Sequence, residues 1–307
     1  MKASAPGTII LFGEHAVVYS RPALAVPVNQ VQVDVEVLES NQPGVRIHAP
    51  GIGLASDIAS LPPDHPIGTV ILKTFHSLGV SPFPHLSIRI ESTIPVAAGL
   101  GSGAAVSTAL IRALSTFFSR SFSNEQINEL VFETEKLHHG TPSGIDNTVI
   151  AYNMPVYYIK GQPIETFKCG KPFTIVIGDT GISAPTKESV GDVRLLWLRE
   201  TGRFEEIFDE VAQISLIARR SIESGKPELL GELMDHNHEL LQQMTVSSPE
   251  LDTLVNAARK AGALGAKLSG GGRGGNMIAL VDPQSAESVA GALMSAGAKR
   301  TIITEIK

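Results

Sequence analysis

Three glycines crowd into five positions, Gly99, Gly101 and Gly103, directly ahead of the alanine-rich run Ala104-Ala105-Val106-Ser107-Thr108-Ala109-Leu110-Ile111. The apolar spacing of that run predicts a helix over 104–118, so the glycine loop ends where a helix begins. The first turn of a helix carries backbone N–H groups without intrahelical partners and about half a positive charge. Glycine lets such a turn close on a bound anion, and residues 94–107 therefore read as a phosphate cradle, with plain chain geometry as the alternative. No Gly-Lys-Ser/Thr follows, which excludes a P-loop, and no acidic residue ends a second strand about twenty positions on, which excludes a dinucleotide fingerprint.

Composition narrows what this cradle can serve. The chain has 307 residues, 43% hydrophobic and 18% charged, which suits an ordinary globular protein of two domains. The formal net charge is −6 and no basic block occurs, so a nucleic-acid or anionic membrane partner is not expected. No apolar run approaches the roughly 20 residues that span a bilayer, and the start of the chain lacks a signal-peptide pattern; the expected location is the cytoplasm. The single cysteine, Cys169, forbids an internal disulfide and reads as a small buried hydrophobe.

Along the chain, residues 5–7 read as a turn and 8–12 as a short apolar strand ended by Gly13. Glu14 and His15 then lie between two apolar strand-like segments, the second being 16–19. Burying two titratable groups costs free energy unless each is paired, so they form either a satisfied polar pair or a polar site for a hydroxylated or carboxylated small molecule. Residues 31–37 alternate as a half-solvated strand, 45–48 form a weak strand, 66–78 a helix stopped by Gly79, and 86–90 a strand leading into the glycine loop. Ser123 and Gln126 mark a capped start for the next helix, which carries Glu133 and Glu135. The turn-rich segment after it holds Asp146, by itself most simply a turn or cap aspartate. Adjacent His138 and His139 diverge on a helix and have no Cys/His cluster nearby, which argues against a histidine metal site.

In the second half, 156–159 and 173–178 read as strands joined through a hairpin-like turn at 160–163. A polar loop, 178–187, enters a helix over 188–199. Helices near 204–223, 226–243 and 249–261 precede a second glycine-rich run, Ser269-Gly270-Gly271-Gly272-Arg273-Gly274-Gly275-Asn276. Such a run cannot pack a core and permits close backbone approach. A strand over 277–281, a helix near 284–295 and a strand over 300–304 complete an α+β pattern without repeats.

Taken together, three motifs in one order are more specific than any alone. The chain resembles the GHMP kinase superfamily and, within it, the mevalonate kinases. The resemblance is carried by Pro6-Gly7-Thr8-Ile9-Ile10-Leu11-Phe12-Gly13-Glu14-His15-Ala16-Val17-Val18-Tyr19, by residues 95–107 and by residues 267–276, with support from 139–146 and 178–187. It implies a two-domain fold: a ribosomal protein S5 domain 2-like N-terminal domain over 1–165 and a ferredoxin-like C-terminal domain over 166–307, with the active site in the cleft between them. The implied activity is ATP- and Mg²⁺-dependent phosphorylation of mevalonate to 5-phosphomevalonate. A related small-molecule kinase acting on phosphomevalonate or homoserine, or a nucleotide-binding protein with weakened catalysis, remains open, as does a homodimer.

The resemblance also implies roles. Pro95, Ala98, Gly99, Leu100, Gly101, Ser102, Gly103 and Ala104 would bind ATP, and Ser102 with Glu135 would hold Mg²⁺. Asp146 would be the catalytic aspartate that orients or deprotonates the substrate hydroxyl. Glu14, His15, Asp146, Thr186, Gly271 and Gly272 would line the mevalonate pocket. Three departures stand out. Thr8 replaces the family lysine, so either another cation such as Lys187 supplies its charge or the chemistry is slower. Gly103 replaces a serine that normally ligates Mg²⁺. Arg273 interrupts the second glycine-rich run, either as a phosphate-recruiting group or as a solvated loop arginine.

Overall fold

The structure is a computed structural model that describes all residues except 96–98, 140–142, 164 and 184. The chain divides into two compact units, and each draws on more than one stretch of sequence. The first comprises residues 1–8, 31–96 and 100–153; the second comprises 9–30, 97–99 and 154–307.

The first unit contains the start of β1 (Lys2–Phe12) and the second half of β2 (Ala23–Glu39), followed by β3 (Val45–Ala49), β4 (Leu54–Asp57), α1 (Pro66–Leu78), β5 (Leu86–Ser92), α2 (Ser102–Phe117), α3 (Asn124–His139) and α4 (Ile145–Tyr152). Its strands run in the order β4-β3-β5-β2, with β1 also paired to β2. Val33, Val35 and Val37 are buried while Asp34 and Glu36 between them are half-exposed, so alternation sets which face of the sheet carries the core. Helix α1 buries Ile67, Val70, Ile71, Phe75 and Leu78, the stripe expected of an amphipathic helix, and Gly79 ends it in a left-handed conformation. The start of α3 is a reciprocal capping box: Gln126 N–H donates to Ser123 Oγ at 3.2 Å and Ser123 N–H to Gln126 Oε1 at 2.9 Å.

The second unit adds β6 (Val156–Tyr158), β7 (Glu165–Thr166), β8 (Phe173–Asp179), α5 (Thr186–Arg199), α6 (Thr201–Glu223), α7 (Leu230–Gln243), α8 (Pro249–Lys260), β9 (Gly265–Ser269), β10 (Asn276–Val281), α9 (Ala286–Ser295) and β11 (Arg300–Ile306). Strands β11, β8, β10 and β9 make an antiparallel sheet in that order. Its central strands β8 and β10 are buried along their whole length, which the apolar runs Ile175-Val176-Ile177 and Met277-Ile278-Ala279-Leu280-Val281 permit.

Four expectations change. Residues 5–7 continue β1 rather than turning, because the strand begins at Lys2. Residues 16–19 form one 3₁₀ turn instead of a strand. The turn at 160–163 joins β6 to β7, whereas β8 belongs to the other sheet. Finally, residues 265–269 are a strand that the glycines around it obscure, and the run after it is packed rather than loose. A Cβ on buried Gly272 would collide with the Val246 carbonyl, and one on Gly274 would lie 2.6 Å from the Ile182 carbonyl oxygen.

Helix α7 reaches β9 through a pair of glycines. A Cβ on Gly265 would sit 2.6 Å from Gly231 Cα, and one on Gly231 would sit 2.8 Å from the carbonyl carbon of Leu264. Neither backbone can yield without moving the helix off the strand. Gly265→Ala is therefore expected to lower unfolding stability by about 1–3 kcal/mol, the range for overpacking. Gly191→Ala, in the interior of α5 with open space around it, is expected to raise stability by about 0.5–1 kcal/mol. Urea unfolding midpoints of the two variants measure both.

Candidate active site

In the first unit the second half of the glycine loop sets up an open helix end. Gly101, at φ +68°, is the N-cap of α2, and no side chain caps that 16-residue helix and no acidic residue occupies its first turn. The N–H groups of Ser102, Gly103 and Ala104 thus enter the helix without intrahelical partners, as an anion requires. Leu100 is buried and its carbonyl accepts the Thr8 N–H at 3.1 Å, which ties the loop to β1.

Side chains distant in sequence gather at this helix end. A Cβ on Gly101 would meet Thr8 Cγ2 at 2.6 Å and Asp146 Cβ at 3.5 Å; one on Gly103 would meet Glu135 Oε1 at 3.2 Å. Glycine at 101 is what lets buried Thr8 and the first turn of α4 approach the loop. The placement of Asp146 is set by its neighbours: Asn147 donates to Asn128 Oδ1 on α3 at 2.6 Å, and Thr148 Oγ1 donates to the Gly144 carbonyl at 2.6 Å. Two carboxylates and a hydroxyl at one helix N-terminus suit a hard divalent cation that keeps water and phosphate ligands. Among the described residues no group of three or more His, Cys, Asp or Glu forms an all-protein cage.

In the second unit the centre is a buried ion pair. Lys267 on β9 donates to Glu14 Oε1, and the two side chains are 0% and 1% exposed. The lysine also donates to the Leu268 carbonyl at 2.7 Å and lies 5.8 Å from the centre of the Phe12 ring. Burial pushes the Glu14 carboxyl up and the Lys267 ammonium down, and each opposes the other's shift by stabilising its partner's charge. The sequence marks Lys267 only as the start of the third motif and assigns it no role, because the glycines around it hide the strand that buries it.

The turn after Glu14 is strained. His15 has φ +60° and ψ −48°, and the Ala16 N–H reaches back to the Glu14 carbonyl at 2.6 Å. This is a γ-turn with a positive central φ, a rare conformation for a residue with a side chain. His15 Nε2 donates to the Gly271 carbonyl at 3.1 Å, which fixes the proton on Nε2 and leaves Nδ1 as an acceptor. Buried Glu14 Oε2 and His15 Nδ1 have no hydrogen-bond partner among the described residues. Gly271 packs on Thr186, since a Cβ there would be 2.9 Å from Thr186 Oγ1. Thr186 and Lys187 open α5 and are exposed. Arg273 holds φ +60°, donates its N–H to Val246 O at 2.7 Å and pairs with Asp192 Oδ2 at 2.5 Å, so it is tied to α5 and is not simply solvated.

Of the residues expected in the sites, Leu100, Gly101, Ser102, Gly103, Ala104, Glu135 and Asp146 come together with Thr8 in the first unit. Glu14, His15, Gly271, Gly272 and Thr186 come together in the second. Pro95 is half-buried beside residues that are not described. Gly99, at φ +67°, lies against Asn276, 3.6 Å from its Nδ2. Ala98 falls outside the described residues.

His238 underlies the pair. Its Nδ1 accepts the Leu268 N–H at 3.3 Å and its Nε2 donates to Asp252 Oδ1 at 3.1 Å. Desolvation by burial lowers the pKa of both His15 and His238 to about 4. Both are neutral in the folded protein at neutral pH and take up a proton more readily when unfolded. Their stabilising contribution is present in full above pH 6.5 and is lost as pH falls through about 4. Unfolding between these limits is expected to take up close to two protons, and His15→Asn to reduce that by one; the pH dependence of the urea midpoint measures the uptake.

Known proteins share this arrangement of sequence and fold. The model of the GHMP kinases N terminal domain matches residues 67–153, and that of the GHMP kinases C terminal matches 218–299. The mevalonate kinase of Pyrococcus furiosus is 36% identical over 99% of this chain and 95% of its own length. That of Pyrococcus abyssi is 38% identical over 96% of this chain and 92% of its own. The crystal structure of L. major mevalonate kinase in complex with R-mevalonate superposes with a TM-score of 0.88 at 29% identity, covering 100% of this chain and 96% of that one.

Proposed function

Because the chain belongs to the GHMP kinase superfamily and, within it, to the mevalonate kinases, we propose that it transfers the γ-phosphoryl group of ATP to the primary hydroxyl of mevalonate. The observation that carries this reading is the gathering of Ser102, Glu135 and Asp146 at an uncapped helix N-terminus, three groups separated widely in sequence. Phosphoryl transfer asks the protein for positioned anions and charge neutralisation more than for covalent chemistry, and that is what this end of α2 can supply.

In this reading the backbone from Gly99 to Ala104, flanked by Pro95 and Ala98, and the Ser102 hydroxyl bind the triphosphate. Mg²⁺, held by Ser102 and Glu135, would neutralise charge on the β- and γ-phosphates. Asp146 orients the primary hydroxyl and receives its proton. Glu14, His15, Thr186, Gly271 and Gly272 hold the acid-alcohol. Thr8 is buried and uncharged, so the cation that a kinase needs beside its acid comes from elsewhere in the chain, and Lys187 on the exposed first turn of α5 is the residue assigned to it. No helix among the described residues is long and apolar enough to cross a membrane, in keeping with an enzyme of the cytoplasm acting on polar metabolites.

The test is ADP release from Mg-ATP with mevalonate, phosphomevalonate and homoserine offered singly. Turnover with mevalonate is expected to exceed the others by orders of magnitude. Preference for either of the others would reassign the substrate, and nucleotide binding without turnover on any would favour a non-catalytic role, the reading that Thr8 supports. Asp146→Asn is expected to lower kcat by about 10²–10⁴-fold, the usual contribution of a positioned acid-base group, while ATP affinity changes by no more than a few-fold. Unchanged kcat would remove Asp146 from this role.

A further inference from the structure

We propose that Arg112 is a positioning residue for the phosphoryl-transfer step: its one guanidinium holds the last turn of α4 and the start of β1 to α2, and so sets where Asp146 stands relative to the phosphate-binding end of α2. The proposal rests on the kinase reading above and concerns the first unit alone.

Helix α4 has only 8 residues, and a helix so short keeps its place through tertiary contacts rather than through its own propensity. Asp146 lies in its first turn. The last carbonyls of a helix have no intrahelical partner, and here Val149 O accepts the Asn153 N–H at 2.8 Å while Arg112, on α2, supplies the next two. Arg112 Nη2 donates to the Ala151 carbonyl at 2.8 Å and reaches the Ile150 carbonyl at 3.5 Å; Nη1 donates to the Ser4 carbonyl on β1 at 3.0 Å. A guanidinium presents its donors in a rigid planar fork, so these carbonyls are fixed relative to one another as well as to α2. Its positive charge also sits at the negative end of the α4 dipole.

Three elements therefore meet at two points. At the first, a Cβ on Gly101 would lie 2.6 Å from Thr8 Cγ2, 3.0 Å from Ile150 Cδ1 and 3.5 Å from Asp146 Cβ. At the second, Arg112 joins Ser4, on the same strand as Thr8, to Ala151, on the same helix as Asp146. The bond from Asn147 to Asn128 restrains the N-terminal turn of α4, whereas Arg112 restrains its other end and thereby its tilt and axial position. Phosphoryl transfer is sensitive to such geometry, since a displacement of about 1 Å can cost on the order of 10²-fold in rate. Arg112 is not the cation that Thr8 lacks. Its donors face backbone carbonyls at the end of α4 away from Asp146, and burial alone lowers its pKa, with no carboxylate beside it to raise it. The desolvation of this half-buried group is offset by neutral carbonyls rather than by a counter-charge, so what it contributes is placement.

The experiment is a double-mutant cycle on the full chain, with kcat expressed per nucleotide-binding site titrated by calorimetry. Arg112→Met keeps an apolar stem and removes every donor. Its kcat with ATP and mevalonate is expected to fall about 10–10²-fold, while KM for both substrates and ATP affinity change by no more than a few-fold, because the first turn of α2 is untouched. In an Asp146→Asn background the same substitution is expected to cost less than about twofold, since a residue that acts through Asp146 has nothing left to position. A merely structural arginine would cost the same factor in both backgrounds. Arg112→Lys keeps the charge but not the fork, and its kcat is expected to drop about tenfold, again only with Asp146 in place. That variant carries the cycle if Arg112→Met fails to fold. Unchanged kcat in Arg112→Met, wild-type kcat in Arg112→Lys, or equal losses in the two backgrounds overturns the proposal and leaves the kinase reading intact. A wild-type chain that binds ATP yet turns over neither mevalonate nor the other two alcohols overturns the kinase reading and the proposal together.

Discussion

The ion pair between Glu14 and Lys267 is the constraint around which the second unit is arranged. Two charges with essentially no exposure are tolerated only because each satisfies the other, and removing one partner from such a pair typically costs about 3–5 kcal/mol. A pair of this kind is seldom a net source of stability compared with a well-packed apolar core. Its value lies in geometry. It pins residues just beyond β1 to β9, and β9 is held in turn by His238 through the Leu268 N–H and by the glycine contact with α7. With β9 fixed, Gly271 is placed to accept from His15 and to pack on Thr186, so a strained turn and a helix start are registered against one strand.

The first unit solves a different problem. Its helix α2 begins without a side-chain cap, and the N–H groups of its first turn point where an anion is to sit. Stability elsewhere in the unit is ordinary: an amphipathic α1, an alternating sheet face and a reciprocal cap at the start of α3. Local rules are broken at the glycine loop and at residues 13–15, which is where function is expected to demand exceptions.

Much of this was legible beforehand, for reasons that can be named. The glycine spacing at 99–103, the helical period of 66–78 and the Ser123/Gln126 cap are local signals, and each corresponds to the observed element to within a few residues. Glu14 and His15 stood out because titratable groups between apolar segments demand partners. What sequence could not give was the identity of the partner, since Lys267 lies about 250 positions away in a strand that Gly265 and Gly270 disguise as loop. The 3₁₀ turn at 16–19 was hidden for the opposite reason: Val17, Val18 and Tyr19 have strand-like propensity, and tertiary contacts around the γ-turn override it. Thr8 and Gly103 could be recognised as departures from the family pattern, but their fit, a methyl against Gly101 and a gap beside Glu135, is a property of the folded chain.

The account therefore turns on the protonation pattern of one imidazole. The direct measurement is ¹⁵N NMR of histidine-labelled protein, with the His15 resonances assigned through His15→Asn, recorded from pH 6 to 8 with and without mevalonate. The account predicts an unprotonated Nδ1 and a protonated Nε2 throughout, with the Nδ1 resonance moving upfield on addition of mevalonate as it accepts a hydrogen bond. A protonated Nδ1, or an Nδ1 signal indifferent to saturating mevalonate, would contradict it.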